Sequence, residues 1–528
     1  MRLWWKHGVV YQIYPRSFMD SNGDGVGDLD GIRARLDHLA WLGIDAIWLS
    51  PIFPSPMADF GYDVSDYCAI DPVFGTLADF DWLLAEAHVR GIRVILDWVP
   101  NHTSDRHPWF IESRSSRMSA KRDWYVWRDP ASDGGPPNQW VSIFGGPAWK
   151  LDPGTGQYYL HSFLVEQPDL DWRNPEVVAA MHGTLRFWLD RGVDGFRIDV
   201  IHRIAKDPLL RDNPPSPTPG PGYGGQQHVH DENHPDVHAF LRGIRAVLDE
   251  YEERMAVGEV YIMDPSQVAG YYGRGDELHL AFNFSFLRSP WSAADFAREI
   301  SAFDALVPVE GWPDAVLSNH DVPRHATRYD DAVLGDERAR VAAMLLLTLR
   351  GTPFLYYGEE IGMRNVEVPR EQMRDPLALT LHPSLSRDPE RTPMHWSAEP
   401  GAGFTRGKPW LPIGADVAKR NAATLREDRD SLLWLYRDLI ELRRATPALE
   451  RGSFRPISAP DGVLAWERSC GDSRAIVALN FSAEARSAGL APARVSGGLR
   501  TRRGEPLPSD AAKLELAPSG GAVLIVES

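Results

Sequence analysis

Val193-Asp194-Gly195-Phe196-Arg197-Ile198-Asp199 is the stretch that decides the fold. A short apolar run that ends on charged residues reads as a strand buried on both faces, with its last residues reaching an open edge. Arg197 and Asp199 stand two apart, so both project to one side of the strand. Phe196 and Ile198 project to the other, towards packing helices. Runs of the same character recur at 9–14, 44–49, 92–99, 255–260, 279–284, 315–318 and 353–357. Between them apolar residues repeat at helical spacing, as in 29–42, 77–89, 175–191 and 339–349. Strands alternating with helices in this way predict an α/β fold, a (β/α)8 TIM barrel. An open doubly wound sheet is the competing arrangement. No glycine-rich phosphate loop follows the first strand, which argues against it.

The gap between the third and fourth strands, about 102–172, is long and rich in Trp, Pro, Gly and Asp. It predicts a small inserted domain at 104–172, dividing the barrel into 1–103 and 173–449. Beyond 449, short runs at 462–468, 475–481 and 522–527 alternate with Gly and Pro turns. They predict a C-terminal antiparallel β-sandwich domain over 450–528. The Pro- and Gly-rich segment 213–225 reads as a mobile loop. His228, His230 and His234 follow it. A metal cluster there would need a rigid surrounding shell, so a solvated loop is the plainer reading.

Composition narrows the function. The 528 residues are 43% apolar and 24% charged, as expected of a globular protein. A net charge of -17 repels phosphate backbones and excludes nucleic acid and anionic membranes as partners. The abundant aromatic residues are chiefly core formers, and a minority would suffice to stack on sugar rings. Cys68 and Cys470 lack metal or redox spacing and read as idle thiols. The N-terminus has no signal-type apolar stretch, and the run 341–349 is too short to span a bilayer. The expectation is a cytoplasmic enzyme, monomeric or homodimeric, acting on a small neutral substrate.

Four strand ends carry the chemistry: Asp97-Trp98-Val99-Pro100-Asn101-His102, Gly195 to Asp199, Gly258-Glu259-Val260 and Ser318-Asn319-His320-Asp321. In a barrel these ends meet at one mouth. Arg197 beside Asp199 favours the ionised carboxylate, ready to act as a nucleophile. Taken alone, the pair would serve equally as a structural ion pair at the rim. Glu259 stands behind Met255-Ala256-Val257-Gly258, an apolar setting near other acids in which a carboxyl tends to keep its proton, as a general acid must. Asp321 adds a third carboxylate, and His102 and His320 add hydrogen-bonding groups. Gathering so much charge is too costly for a stability device, which leaves catalysis.

These four motifs resemble the signature regions of the α-amylase superfamily. Val9-Val10-Tyr11-Gln12-Ile13-Tyr14-Pro15 and the stretch 351–360 fit as well, so the likeness covers almost the whole chain. Gln167-Pro168-Asp169-Leu170-Asp171-Trp172 and Arg391-Thr392-Pro393-Met394-His395-Trp396 resemble its α-glucosidase and oligo-1,6-glucosidase branch. The resemblance implies Asp199 as nucleophile, Glu259 as general acid/base and Asp321 as the group gripping the sugar hydroxyls. It implies His102, Arg197 and His320 around the first glucose, Tyr62 stacked on its ring, and Asp59 closing the pocket in an ion pair with Arg391, for which the nearby Arg387 is the alternative. It implies a retaining exo-α-glucosidase for short α-1,4 and α-1,6 glucosides, sucrose included.

Glucosyl transfer, including sucrose isomerisation, would use the same acids. Trehalose synthesis would require a more enclosed pocket. A non-catalytic binding relative should have lost the acids, which this chain keeps. Val200, next to the nucleophile, leans towards α-1,6 bonds, whereas Ile201-His202-Arg203 departs from the pattern of that branch. No organic cofactor is expected. Asp20-Ser21-Asn22-Gly23-Asp24-Gly25-Val26-Gly27-Asp28 begins like a calcium loop but has Gly31 where a closing Glu would stand. Asp20, Asn22, Asp24, the Val26 carbonyl and Asp28 are the candidate ligands, and the resemblance points to structural Ca2+ or Mg2+. A metal-free Asx/Gly turn is the simpler alternative.

Overall fold

The computed structural model describes residues 2–218, 220 and 222–527. Eight short strands form one parallel sheet: β1 (Val10–Ile13), β2 (Ala46–Leu49), β3 (Arg93–Trp98), β7 (Gly195–Ile198), β8 (Met255–Gly258), β9 (Leu280–Ala281), β10 (Asp314–Val316) and β11 (Thr352–Tyr356). Hydrogen bonding runs in the order β10-β11-β1-β2-β3-β7-β8-β9, so the barrel is closed except at the seam between β9 and β10. Alternation sorts the side chains. Val10, Ala46, Trp48, Ile95, Val257 and Phe354 fill the interior. Tyr11, Ile47, Leu96, Phe196, Ile198 and Leu355 join the larger core shared with the helices.

The helices at Leu77–Val89 and Pro175–Asp190 lie where apolar spacing puts them. The first is closed by a reciprocal capping box between Thr76 and Asp79. The periodic stretch at 29–42 breaks into Leu29–Ala34 and Leu36–Leu42, with Arg35 leaving helical geometry between them. The sixth barrel strand is only two residues long. Asn283 ends it by accepting the Phe286 N–H at 3.2 Å and starting the helix Phe284–Leu287.

Within the inserted segment, β4 (Trp127–Arg128), β5 (Trp149–Asp152) and β6 (Gln157–Leu160) make a three-stranded antiparallel sheet. Val126, Trp140, Ala148, Trp149 and Leu160 give it a core of its own. After the barrel come β12 (Ser453–Ile457), β13 (Val463–Cys470), β14 (Ser473–Asn480), β15 (Arg486–Ser487), β16 (Val495–Arg500), β17 (Glu515–Leu516) and β18 (Gly521–Val526). Five of them form an antiparallel sheet in the order β12-β13-β14-β18-β16, and β15 pairs with β17. Trp466, Val477, Leu479 and Val523 pack onto the barrel core. Ala465, Ile476, Ala478 and Leu524 face Ala488 and Leu516 of the smaller sheet, which makes the two-layer sandwich.

The loop expected to be mobile at 213–225 is partly structured; residues 219 and 221 lie outside the described residues. Ser216 N–H donates to the Gly225 carbonyl at 2.9 Å and Gln227 N–H to the Pro214 carbonyl at 2.8 Å, folding the segment back on itself.

Gly498 in β16 has a φ of +140°, and a Cβ there would come within 1.9 Å of the Val523 carbonyl. Gly498→Ala should therefore destabilise the C-terminal sheet by about 1–3 kcal/mol, read as a lowered midpoint in urea unfolding.

Candidate active site

The strand register assembles the site. Asp97 of β3 is opposite Arg197 of β7, and Ile198 is opposite Gly258 of β8. Glu259 N–H then donates to the Ile198 carbonyl at 2.8 Å, which sets Glu259 beside Asp199. Arg197, buried at 2% exposure, binds all three neighbouring acids. Its Nη1 donates to Asp97 at 2.8 Å and to Asp199 at 2.7 Å, and its Nη2 donates to Glu259 at 2.6 Å. Asp199 and Glu259 thus stand side by side on the two terminal nitrogens of one guanidinium. The chain turns sharply after Asp199. Val200 takes a left-handed backbone at φ 34° and ψ 43°, a strained state for a β-branched residue. That turn aims the Val200 N–H at Glu259 Oε2, 3.1 Å away.

One guanidinium cannot neutralise three buried acids. Burial pushes the Asp199 carboxyl well above the usual carboxylate range; Arg197 opposes this, and Glu259 and Asp97 add to it. Burial likewise pushes Asp97 up to about 6, against the pull of Arg197. Burial thus outweighs the neighbouring Arg, contrary to the expectation that Arg197 alone would leave Asp199 ionised. Asp321 goes the other way. Burial would raise it, but His320 Nε2 beside it and the charges of Arg387 and Arg391 hold it far below the carboxylate range.

Beneath these acids lies a chain of side chains rooted in β1. Gln12, a polar residue inside an apolar strand, has its amide nitrogen 2.8 Å from His320 Nδ1. An amide N–H only donates, so Nδ1 accepts and Nε2 carries the proton. His320 Nε2 is 2.5 Å from the Tyr62 hydroxyl, which in turn donates to Asp97 at 3.2 Å. Burial holds the His320 imidazole well below its ordinary range, so it is neutral. Burial also lowers His102 to about 4, and His102 Nε2 lies 3.2 Å from the Tyr62 carbonyl.

Arg391 does not pair with Asp59. Arg387 does, at 2.9 Å. Asp375 binds Arg387 Nη2 at 2.7 Å and so aims the guanidinium at Asp59 and, at 3.0 Å, at Asp321. Arg391 is instead committed to the His320 carbonyl and to Asp321, both at 2.7 Å. Arg387, the alternative to Arg391 in the sequence, is thus the actual partner of Asp59, and sequence reasoning gave no role to Asp375, Asp97 and Gln12. The available signal for Gln12 was a polar side chain at an inward strand position.

Above the acids opens a cavity of about 890 Å³ lined by Asp59, Tyr62, His102, Asp199, Glu259 and Asp321, among others. Arg197, His320 and Arg391 lie one layer below, against the lining carboxyls. The three histidines after the Pro/Gly loop do not converge. His228 pairs with Asp231 at 2.8 Å, His230 faces Asp207 at 3.7 Å and His234 faces Asp236 at 3.4 Å. Both cysteines are free, and burial pushes the Cys68 thiol up to about 11, with Asp66 adding to the effect.

The loop after β1 is folded around its own acids. Asp20 accepts from the N–H groups of Asn22, Gly23 and Gly25, and Asp24 accepts from the Val26 N–H. Asp28 caps the helix Leu29–Ala34 and accepts from Ser21. Among the described residues no three His, Cys, Asp or Glu gather as a metal group. The donor set is nevertheless all hard oxygen, and among the described residues none of Asp20, Asp24 and Asp28 has a cationic partner, although Asp20 and Asp28 are buried. Hard oxygen donors of this kind are the ligands a divalent cation takes.

An α/β barrel whose strand ends bring two adjoining carboxyls and a third beside them to one cavity has the architecture of a glycoside-processing enzyme. The description "Alpha amylase, catalytic domain" matches residues 12–452, and the chain belongs to that family. It is 48% identical over 502 residues to a probable alpha-glucosidase of Rhizobium meliloti, covering 92% of this chain and 90% of the relative. It is 42% identical over 515 residues to an oligo-1,6-glucosidase of Parageobacillus thermoglucosidasius, covering 91% of each. Its structure is similar to that of an alpha-glucosyl transfer enzyme, with a TM-score of 0.92, 43% identity and full coverage of both chains. Among the described residues no helix is long and apolar enough to cross a membrane.

Burial pushes Asp59 up to about 6, while Arg387 and then Arg391 pull it down. An acid limb near pH 6 is therefore expected in kcat/KM, because a protonated Asp59 cannot hold its ion pair. Arg387→Met removes the larger lowering charge and should move that limb to higher pH. An unmoved limb would assign it to Asp97 instead.

Proposed function

We propose that this protein is a retaining exo-α-glucosidase that releases glucose from the nonreducing end of short α-1,4 and α-1,6 glucosides. One observation carries the reading: Asp199 and Glu259 adjoin on the two terminal nitrogens of Arg197, at 2.7 and 2.6 Å, facing one cavity. Retaining enzymes need their carboxyls only about 5–5.5 Å apart, whereas inverting ones leave room for a water between them. In the proposed mechanism Glu259 gives its proton to the leaving oxygen as Asp199 attacks C1. The C1–O bond breaks, an ester to Asp199 forms, and Glu259 takes a proton from the incoming water. Asp321, kept ionised by its cationic neighbours, would grip the sugar hydroxyls. Tyr62 and His102 would border the same ring. The Asp59–Arg387 pair would end the pocket at the nonreducing side, which is what makes the action exo. Val200 would meet the leaving group and favour α-1,6 bonds.

Transfer of glucose to another hydroxyl would proceed through the same ester, and the similarity to an alpha-glucosyl transfer enzyme supports it as a second activity. We also propose that Asp20, Asn22, Asp24, the Val26 carbonyl and Asp28 hold Ca2+ or Mg2+, which would neutralise the loop and play no part in the chemistry. Two free thiols support a reducing, cytoplasmic setting.

Glu259→Gln should lower kcat/KM on maltose and isomaltose by about 10²–10⁴-fold while leaving the fold intact. In NMR of early hydrolysis α-glucose should appear first; β-glucose would refute retention. Chelation should lower stability by about 2.7 kcal/mol if the cation is supplied at a hundredfold its Kd. A melting curve indifferent to EDTA, in protein shown by elemental analysis to be metal-free, would overturn the cation.

A further inference from the structure

The barrel and the C-terminal domain meet around a second cavity, of about 140 Å³, which shares no lining residue with the catalytic one. Five arginines line it: Arg340, Arg429, Arg500, Arg502 and Arg503. They come from three segments. Arg340 lies on the helix Gly335–Thr348, Arg429 just ahead of the helix Leu432–Ala445, and the others at and after the end of β16. Only three acids, Asp430, Asp438 and Glu505, share the lining. Glu337 reaches Arg502 from outside it, so five cations still face four anions. Guanidiniums do not shed their protons, and this lining stays cationic on a chain of net charge -17.

The acids present are already shared. Asp430 accepts from Arg502 at 3.1 Å and from the Arg503 N–H at 2.9 Å. Arg500 donates to the Pro506 carbonyl at 3.1 and 3.2 Å and to the Glu515 carbonyl at 2.6 Å, with Glu505 no nearer than 4.0 Å. Arg340, 6% exposed, donates to the carbonyls of Thr501 and Asp430, and the Asp430 carboxylate is 3.9 Å away. Burial pushes the Arg340 guanidinium down and Arg502 adds to this, against the pull of Asp430. Among the described residues Arg429 forms no ion pair and lies over the Trp434 ring, 3.4 Å from its centre. Arg503 has Asp438 at 3.6 Å and no side-chain hydrogen bond. An anion in the cavity would relieve this excess. A water occupies about 10–15 Å³ of such space, so there is room for a tetrahedral oxyanion, the shape that arginine forks bind best.

We propose that this cavity binds a phosphate group, as inorganic phosphate or as the phosphoryl end of a sugar phosphate, and that the bound group ties the C-terminal domain to the barrel. The phosphate oxygens accept from Arg429 on the barrel side and from Arg503 on the sheet side. Arg340 and Arg500, anchored on carbonyls, supply the surrounding positive charge.

The test is isothermal titration of the whole chain, at fixed ionic strength, with inorganic phosphate and separately with glucose 6-phosphate. Saturable binding is expected, and R429Q/R503Q should raise Kd about tenfold or more. The melting temperature of the unaltered protein should rise with phosphate and not with chloride at equal ionic strength. Tighter binding of glucose 6-phosphate supports a sugar phosphate as the ligand, and equal or weaker binding supports the free ion. Absence of saturable binding by both probes overturns the site, and so does a Kd that survives both R429Q/R503Q and R500Q. R500Q lies at the end of β16 and keeps the test decisive if the double variant does not fold.

Discussion

A single guanidinium shared by three carboxyls is the interaction on which the site depends. Arg197 is almost wholly buried and donates to Asp97, Asp199 and Glu259 together. Its position is fixed twice, by the ladder between β3 and β7 and by the acids themselves. Removing one charge from such a cluster would leave the others buried and unpaired, which costs more than the lost contact. The deficit of positive charge is also useful. With burial it raises the Asp199 and Asp97 carboxyls, so the cluster as a whole holds on to a proton.

A second layer makes the first rigid. Gln12, His320, Tyr62 and Asp97 connect β1 to the seventh strand and return to Arg197 through hydrogen bonds between buried groups. A neutral His320 with its proton on Nε2 lets each member donate onward to the next. Arg387 and Arg391 fix the opposite wall, both reaching Asp321. The lining carboxyls therefore meet the substrate with their orientation already settled, which is how an enzyme avoids reorganising at the moment of reaction.

Much of this was legible in the amino-acid order. Barrel strands buried on both faces read as unbroken apolar runs, and acids closing such runs announce a mouth. The same logic explains what escaped. β12 carries Arg455 and Pro456, and β16 carries Gly497 and Gly498; both are outer strands of the C-terminal sheet, with little apolar alternation to betray them. The choice between Arg387 and Arg391 stayed open for another reason. Nothing local distinguishes Arg387 from Arg391, and only Asp375, twelve residues earlier, selects which of them reaches Asp59. Asp97 was visible at a strand end, but its contact with Arg197 depends on cross-strand register.

The left-handed turn at Val200 ties two properties into one residue. Its side chain borders the cavity, while its backbone bears strain that points an N–H at Glu259. Any drift of sequence at this position changes the shape offered to a leaving group and the energy of the turn together. A smaller or more permissive residue relaxes the main chain even as it opens the wall. The cavity wall and the ordering of Glu259 are thus coupled through one residue, and the accessible evolutionary routes are those in which both tolerate the same change.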